Sequence, residues 1–307
     1  MELIYFDEFV KINKNNVVAC IGQFDGVHAA HQILIKKTVE IGNRLNLKKI
    51  IISFEPHPAI VLNPKGQFSV LTPLKEKVRL LQKFDLDYLV IMPFTLELAH
   101  TEPINFVRNY LTKMNITNLV AGFDFTYGDR GKGLVKDIKK FSDNAIDVTI
   151  IDEITYNSDK ISSSRIRECL INGNLEEVHT LFGHYYSFYG DVIHGKSVGH
   201  KVGVPTANLK VDEHFIPLKS GVYSVNVFIN GTKYRGILNK GHNPSFNYVE
   251  NESIEVFIID CDEKLYDMKL RIELLEYLRE EKKFATIDDF KSQIELDKNR
   301  SINFVEK

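Results

Sequence analysis

The chain has 307 residues, of which 44% are hydrophobic and 26% are charged, and its formal net charge is only −2. This length favours two domains, and the composition is that of a globular protein that buries a core. A net charge so close to zero argues against nucleic-acid binding, which generally requires a basic surface.

The cysteines and the N-terminal segment bear on the cellular compartment. Cys20, Cys169 and Cys261 lie far apart and form no CxxC pair, which argues against a disulfide framework or a zinc site. Residues 1–10 lack the basic and apolar regions of a signal peptide, and no stretch approaches the roughly 18 apolar residues of a membrane-spanning helix. We therefore expect a cytoplasmic protein without a membrane segment.

The first half of the chain alternates short β-rich apolar runs with segments whose apolar residues lie three and four positions apart. Strands are predicted over 17–21, 49–54, 88–92, 118–121 and 148–151, and helices over 31–45, 74–84, 103–114 and 134–142. This alternation predicts βαβ units and a parallel sheet. Ligands of such sheets bind beyond the carboxyl ends of the strands.

The pattern changes after Asp152. Two short helices are predicted over 162–170 and 175–182, then strands over 185–193, 221–229, 232–238, 254–259 and 268–275, and a last helix over 286–299. The dipeptide Asn230-Gly231 is a strong hairpin signal. Closely spaced strands with one terminal helix predict a small β-barrel. The change near Gly183 predicts two domains, 1–183 and 184–307.

Residues 22–31 follow the first predicted strand of this sheet and begin a helix. Gly22 and Gly26 allow the backbone to approach a ligand, and the free N–H groups at a helix N-terminus attract phosphate. His28 and His31 are three residues apart, so both imidazoles can donate hydrogen bonds to a polyphosphate and stabilise charge that develops on it. A metal-binding pair and a purely structural turn are the alternatives. The segment is neither a GxGxxG nor a Walker A loop.

This segment carries a resemblance to a known family. It reads Gly22-x-Phe24-Asp25-Gly26-Val27-His28-x-x-His31. It resembles the nucleotidylyltransferase signature in the form found in bacterial bifunctional riboflavin kinase/FAD synthetases. The resemblance continues through Phe54-Glu55-Pro56-His57-Pro58, Leu71-Thr72 with Lys77, Gly122-Phe123-Asp124-Phe125-Thr126-Tyr127-Gly128 and Ile161-Ser162-Ser163-Ser164-Arg165-Ile166-Arg167. It implies an α/β fold, with a Rossmann-like nucleotidylyltransferase domain followed by a riboflavin-kinase-like β-barrel.

The resemblance implies roles at an adenylylation site, where AMP passes from ATP to FMN. His28 and His31 would stabilise the transition state at the α-phosphate, and Asp124 would orient the nucleotide or the flavin phosphate. The residues implied to bind ATP and its phosphates are Gly22, Phe24, Asp25, Gly26, Ser163, Ser164 and Arg167. The residues implied to shape the flavin-binding side of this site are Phe54, His57 and Pro58.

Some of these residues have simpler interpretations. His57 lies between two prolines and is alternatively a fixed loop histidine, and Ser162 is alternatively the N-cap of the following helix. Residues 129–132 are either a solvated turn or a basic lid over phosphates. The sequence departs from the family pattern at Gln23, where Asn is usual, and at Ala30, where Gly is usual.

A second site is indicated by a glycine-rich segment that runs into Gly203-Val204-Pro205-Thr206-Ala207-Asn208. A hydroxyl and an amide two residues apart after a rigid proline can reach one magnesium ion and its phosphate oxygens. The segment resembles the Gly-x-Pro-Thr-Ala-Asn signature of riboflavin kinases. The resemblance implies that Thr206 and Asn208 bind Mg²⁺ with ATP and that Glu255 is the general base for the ribityl hydroxyl.

The remaining residues of the kinase site follow from the same resemblance. The ATP-binding residues implied are Gly195, Gly199, His200, Lys201 and Pro205, and Arg279 would belong to a flavin-side flap. The departures from the kinase pattern are His200 for Arg, Ser245 for Thr, Phe257 for His, Cys261 for Phe and Asp267 for Gly. Loss of the arginine charge at His200 would weaken ATP binding, with Lys201 only a partial substitute.

The leading hypothesis is an enzyme that makes FMN from riboflavin and ATP, and then FAD from FMN and ATP, with Mg²⁺ as the metal. Its partners are these small molecules, and the sequence does not specify an oligomeric state. One alternative is an FAD synthetase with a weakened kinase module. The other is a flavin- or nucleotide-binding regulator, although such a protein has no use for a general base.

Overall fold

The computed structural model describes residues 1–193, 205–212, 214–243, 251–261 and 263–306. The positions Gly195, Gly199, His200, Lys201 and Ser245 from the sequence analysis lie outside these described residues. The chain forms two compact units, Met1–Ser163 and Ser164–Lys307.

The first unit is built on a six-stranded parallel sheet with the strand order β1-β4-β3-β2-β5-β8. The strands of this unit are β1 (Glu2–Tyr5), β2 (Val17–Ile21), β3 (Lys48–Glu55), β4 (Tyr88–Pro93), β5 (Ile116–Gly122), β6 (Thr126–Tyr127), β7 (Gly133–Leu134), β8 (Asp147–Ile151), β9 (Thr155–Tyr156) and β10 (Asp159–Lys160). β6 pairs with β7 and β9 pairs with β10 in small antiparallel ribbons.

Helices cover both faces of this sheet. They are α1 (Phe6–Ile12), α2 (Ala29–Leu45), α3 (Pro58–Leu62), α4 (Leu74–Leu81), α5 (Leu96–Ala99), α6 (Pro103–Phe106) and α7 (Ile138–Phe141). β2 is buried throughout, and alternate residues enter different cores: Val17 packs with residues of α1, α6 and α7, whereas Val18 packs with residues of α2 and α4. A strand with two apolar faces is what a covered parallel sheet requires.

The second unit contains a closed antiparallel barrel with the strand order β11-β12-β15-β14-β13-β16. Its strands are β11 (Ser187–Ile193), β12 (Ala207–Lys210), β13 (Gly221–Ile229), β14 (Thr232–Asn243), β15 (Asn251–Ile258) and β16 (Lys269–Arg279). Its helices are α8 (Ser163–Asn172), which begins at the boundary between the units, α9 (Leu175–Phe182) and α10 (Ile287–Ile302). A ring nitrogen of His179 on α9 lies 3.1 Å from the carbonyl oxygen of Leu274 on β16.

The predicted fold class is confirmed: a parallel α/β sheet precedes a small β-barrel and a terminal helix. Asn230 and Gly231 form the predicted hairpin turn, and both have positive φ angles, 48° and 88°. The sequence did not predict β1, because this short edge strand buries only Ile4. The helix predicted over 103–114 continues from α6 through a π-helical turn, Val107–Leu111, and a 3-10 turn, Thr112–Met114.

Candidate active sites

The loop between β2 and α2 has an unusual backbone. Phe24, Gly26 and Val27 have positive φ angles of 49°, 96° and 42°. This region costs about 1–3 kcal/mol for a residue other than glycine. The side chains of Phe24 and Val27 are fully buried in the core between the sheet, α2 and α4. Core packing therefore holds the loop in this conformation, and only the main chain of Phe24 is available to a nucleotide.

Asp25 ties this loop to the segment before α4. Its Oδ1 atom accepts hydrogen bonds from the backbone N–H of Thr72 at 2.9 Å and from the Thr72 hydroxyl at 3.3 Å. The Thr72 hydroxyl oxygen in turn accepts a hydrogen bond from the backbone N–H of Gly26. The Ser163 hydroxyl donates a hydrogen bond to the carbonyl oxygen of Asp25 at 2.7 Å. These contacts fix the shape of the loop between β2 and α2.

His28 and His31 stack at the start of α2, with ring centroids 3.6 Å apart and an interplanar angle of 15°. His28 is the N-cap, and its Nδ1 atom accepts a hydrogen bond from the backbone N–H of His31 at 3.3 Å. Neutral His28 therefore carries its proton on Nε2. Burial lowers the pKa of His31 well below its usual range, and the charges of His28 and Lys77 lower it further. His31 is thus neutral at physiological pH.

Lys77 is a buried lysine beside this loop, and its position in the sequence motif did not indicate its contacts. Its side chain is 1% exposed, and its Nζ atom donates hydrogen bonds to the carbonyl oxygen of Gln23 at 2.9 Å and to the Ser53 hydroxyl at 3.0 Å. Burial lowers the pKa of Lys77, while the charges of Asp25 and Glu55 act in the opposite direction. Lys77 therefore connects the loop after β2 to the end of β3.

A cavity of about 490 Å³ lies where the carboxyl ends of neighbouring strands meet. Gln23 follows β2, Phe54 lies at the end of β3, Phe94 follows β4 and Phe125 follows β5. This is the position that the parallel sheet predicts for a ligand. The full lining is Gln23, Phe54, Pro58, Leu62, Phe94, Leu98, Ala99, His100, Phe106, Phe125, Thr126, Tyr127, Gly128, Arg130 and Gly131. Its volume and aromatic walls fit a planar ligand of drug-like size.

Two polar atoms in the lining lack a hydrogen-bond partner among the described residues. They are the buried Oε1 atom of Gln23 and the buried hydroxyl oxygen of Tyr127. The amide nitrogen of Gln23 donates to the carbonyl oxygen of Phe54 at 3.0 Å, which fixes the orientation of the side chain. Native proteins seldom leave buried polar atoms without partners, and functional sites are a common reason.

The predicted flavin-side residues have different positions. Phe54 and Pro58 line the cavity. His57 instead caps α3, because its Nδ1 atom accepts a hydrogen bond from the backbone N–H of Ala59 at 3.1 Å, and its ring stacks on Phe68. Asp124 lies outside the lining and forms an ion pair with Lys160.

The predicted phosphate-binding residues of the 162–167 segment fall on both sides of the unit boundary. Ser163 belongs to the first unit, whereas Ser164 and Arg167 lie on α8 in the second unit. Their binding to phosphate stays a prediction.

In the barrel, Glu255 lies on β15 directly opposite Asn208 of β12 and Asn239 of β14. Residues directly opposite one another present their side chains on the same face of a sheet. The Thr206 hydroxyl donates a hydrogen bond to Oε2 of Glu255 at 3.1 Å. Pro205 precedes Thr206 and is exposed. Among the described residues, Thr206, Asn208 and Glu255 thus lie close together, and their role in a kinase stays a prediction.

A smaller cavity of about 170 Å³ adjoins Thr206 and Glu255. Its lining is Thr206, Val222, Ile237, Asn239, Glu255, Phe257, Arg279, Glu281, Lys282, Phe284, Phe290 and Ile294. Phe257, which replaces the histidine of the family pattern, packs against Val222 and Ile237 and extends the apolar wall. Asp267, which replaces a glycine, has a φ of 64°, a conformation that Asp tolerates better than most residues.

The hydroxyl oxygen of Thr206 and the amide oxygen of Asn208 are hard oxygen donors of the kind that bind Mg²⁺. Within the described ranges, no group of three or more His, Cys, Asp or Glu residues could hold a metal ion by itself. This donor set suits a magnesium ion that takes most of its ligands from phosphate and water.

Arg279 forms a partly buried ion pair with Asp297, whose own side chain is buried. Its Nε and Nη2 atoms donate to both carboxylate oxygens of Asp297 on α10, at distances of 2.7–3.1 Å. Its Nη1 atom donates to the carbonyl oxygen of Glu280 at 3.0 Å. Arg279 therefore attaches the end of β16 to α10 and also lines the smaller cavity.

Comparisons with known proteins assign each part of the chain to a family. Residues 10–165 match the FAD synthetase family, and residues 182–305 match the riboflavin kinase family. No helix among the described residues is long and apolar enough to cross a membrane. A solved structure from Streptococcus pneumoniae, described as a macrolide-efflux protein, has a TM-score of 0.88 and 30% identity, covering 96% of this chain and 97% of its own.

Two curated relatives carry the same description, bifunctional riboflavin kinase/FMN adenylyltransferase. The one from Listeria monocytogenes is 38% identical over 302 residues, which cover 98% of this chain and 95% of the relative. The one from Bacillus subtilis is 35% identical over 298 residues, covering 96% and 94%. By these matches, the chain belongs to the bifunctional riboflavin kinase/FMN adenylyltransferase family.

Proposed function

We propose that this protein phosphorylates riboflavin to FMN with ATP, and then transfers AMP from ATP to FMN to give FAD and pyrophosphate. One observation carries the proposal: each matched segment has its own site. The sheet unit holds the stacked pair His28 and His31 at a helix N-terminus, and the barrel holds the hydrogen-bonded pair Thr206 and Glu255. We further propose functional domains at 1–183 and 184–307, because the two family matches end at 165 and begin at 182.

At the adenylylation site, the phosphate of FMN is itself the nucleophile, so no covalent enzyme intermediate is needed. His28, with its proton on Nε2, and neutral His31 donate hydrogen bonds to the α-phosphate as negative charge develops there. The free N–H groups at the start of α2 add to this stabilisation. Catalysis then rests on positioning and charge stabilisation.

The substrates occupy the two sides of this loop. The flavin ring lies in the 490 Å³ cavity, between apolar walls that include Phe54 and Pro58. Ser163, Ser164 and Arg167 hold the β- and γ-phosphates of ATP, with Arg167 suited to a bidentate contact.

At the kinase site, Glu255 accepts the proton of the ribityl hydroxyl as this oxygen attacks the γ-phosphate. The hydrogen bond from Thr206 orients the carboxylate of Glu255. Thr206 and Asn208 would hold Mg²⁺, which neutralises charge on the phosphates of ATP when it is bound. The apolar wall with Phe257 suits the flavin ring, and Arg279 shapes this side through its ion pair with Asp297.

The protein acts on these small molecules, and we propose a cytoplasmic location. Phe257, in place of the histidine of the family pattern, favours a second candidate in which the chain makes FAD but phosphorylates riboflavin poorly.

The experiment is to incubate the purified protein with ATP, Mg²⁺ and either riboflavin or FMN, and to separate the flavins by chromatography. The proposal predicts FMN and FAD from riboflavin, whereas the second candidate predicts FAD from FMN only. Glu255→Gln should abolish FMN formation and leave FAD formation from FMN, and His31→Ala should do the reverse. Loss of both activities in each variant, with the fold intact, would contradict two separate sites.

A further inference from the structure

The turn after β6 brings an arginine to the flavin cavity of the first unit. Arg130 lines this cavity together with Gly128 and Gly131, although its side chain is exposed at the surface. From the sequence, residues 129–132 are predicted to form either a solvated turn or a basic lid over phosphates. The surroundings of Arg130 distinguish these alternatives.

Neighbouring contacts hold the turn in place. The backbone N–H of Asp129 donates to the carbonyl oxygen of Thr101 at 2.7 Å. The Asp129 carboxylate contacts a ring nitrogen of His100 at 3.1 Å and accepts a hydrogen bond from Lys132 at 2.8 Å. Gly128 has a φ of 71° and sits so close to Pro103 that a Cβ atom would lie about 3.0 Å from it. The turn is therefore anchored on both sides of Arg130.

No described residue holds the side chain of Arg130 in this way. Its guanidinium forms no hydrogen bond or ion pair with any described residue, whereas the nearby Lys132 and Lys160 are paired with Asp129 and Asp124. All residues lining the cavity are described, and none of them is acidic. Arg130 is their one permanent positive charge. The neighbouring Asp129 carboxylate attracts Arg130 through its charge, but it is bonded to Lys132 and contacts His100. A cation on an anchored turn beside an apolar cavity is suited to a ligand that joins an aromatic ring to an anion.

We infer that Arg130 binds the phosphate of FMN and makes the adenylylation site select FMN over flavins that lack a phosphate. This inference rests on the proposed function, in which the flavin ring fills the cavity. The guanidinium has five donors in a planar fork that matches phosphate oxygens. It holds the dianion while an oxygen stays available to attack ATP. Aromatic walls alone would accept riboflavin as readily as FMN.

The test compares a flavin with a phosphate and a flavin without one at the same site. Initial rates of FAD formation from FMN and ATP give the KM for FMN. Lumiflavin, which has the ring but neither ribityl hydroxyls nor phosphate, serves as a competitive inhibitor that the kinase site cannot phosphorylate. A hydrogen bond to a charged group contributes about tenfold to a hundredfold in affinity. Arg130→Ala should therefore raise the KM for FMN by about this factor and leave the inhibition constant of lumiflavin within about twofold.

Two further variants sharpen the result. Arg130→Lys keeps the charge but not the fork, and should recover part of the lost affinity. Lys136→Ala removes an exposed positive charge from the next turn, Val135–Asp137, and should leave both constants unchanged.

An equal rise in both constants for Arg130→Ala would show that Arg130 shapes the cavity or contacts the ring, and would overturn the inference. An unchanged KM for FMN would also overturn it, because Arg130 would then be a solvated side chain. A wild-type protein that makes no FAD from FMN would contradict the proposed function itself, and this inference with it.

Discussion

Replacing Lys77 with methionine tests how the loop between β2 and α2 is held. Methionine has nearly the same length but can donate neither of the hydrogen bonds that Lys77 makes to Gln23 and Ser53, at 2.9 and 3.0 Å. Gln23 keeps one partner for its carbonyl oxygen, because the Ser53 hydroxyl also donates to it at 3.0 Å. The substitution therefore loosens the loop without removing every contact.

The substitution is expected to change the free energy of unfolding only a little and the rate of FAD formation strongly. Each hydrogen bond from a charged donor contributes about 1.5–3 kcal/mol, but burying an ammonium group costs several kcal/mol. The two effects offset one another, so we expect a change of at most about 2 kcal/mol in the free energy of unfolding. Misplacing a catalytic group by about 1 Å costs about a hundredfold in rate. We therefore expect kcat for FAD formation in Lys77→Met to fall by about a hundredfold.

The assay measures FAD formation from FMN and FMN formation from riboflavin on the same preparation, together with the melting temperature. Lys75→Met is the matched control, because Lys75 lies on the same helix but is exposed. A rate of FAD formation within threefold of the wild type would refute the positioning role. Loss of both activities with a lower melting temperature would instead assign Lys77 to stability.

Three further predictions concern stability, measured by urea unfolding. Because the pKa of His31 is lowered on folding, the unfolded chain takes up a proton first, and stability should fall below about pH 6.5 by up to about 1.4 kcal/mol per pH unit. His31→Gln should reduce this loss between pH 7.5 and 5.5. Asp297→Ala leaves Arg279 without its buried partner and should cost about 3–5 kcal/mol. Tyr127→Phe removes a buried hydroxyl that has no hydrogen-bond partner among the described residues and should stabilise the ligand-free protein by about 1 kcal/mol.

Local patterns predicted much of the fold and some of the contacts among the candidate site residues. β2 was predictable because both of its faces are apolar. The hairpin at Asn230-Gly231 was predictable because both residues tolerate positive φ angles. The spacing of His28 and His31 indicated a shared direction, and the two rings indeed stack.

Pairing between distant residues was not predictable in this way. Asp25 and Asp124 are both carboxylates after a strand, yet one bonds to Thr72 and the other pairs with Lys160. Tyr127 and Arg130 reach the cavity only because strand ends from four parts of the chain meet there. A single sequence carries no periodic signal for such contacts, since they depend on tertiary structure.

The loop after β2 shows why its signature combines apolar with polar residues. Two residues other than glycine hold positive φ angles there, at a cost of about 1–3 kcal/mol each. Burying Phe24 and Val27 contributes about 1.5–3 kcal/mol each, which is enough to offset that cost. The burial of these two side chains therefore determines the main-chain conformation of the loop. The hydrogen bond between Asp25 and Thr72 stabilises the same conformation. The histidine pair is then presented by a backbone that the hydrophobic core has already ordered before any substrate binds.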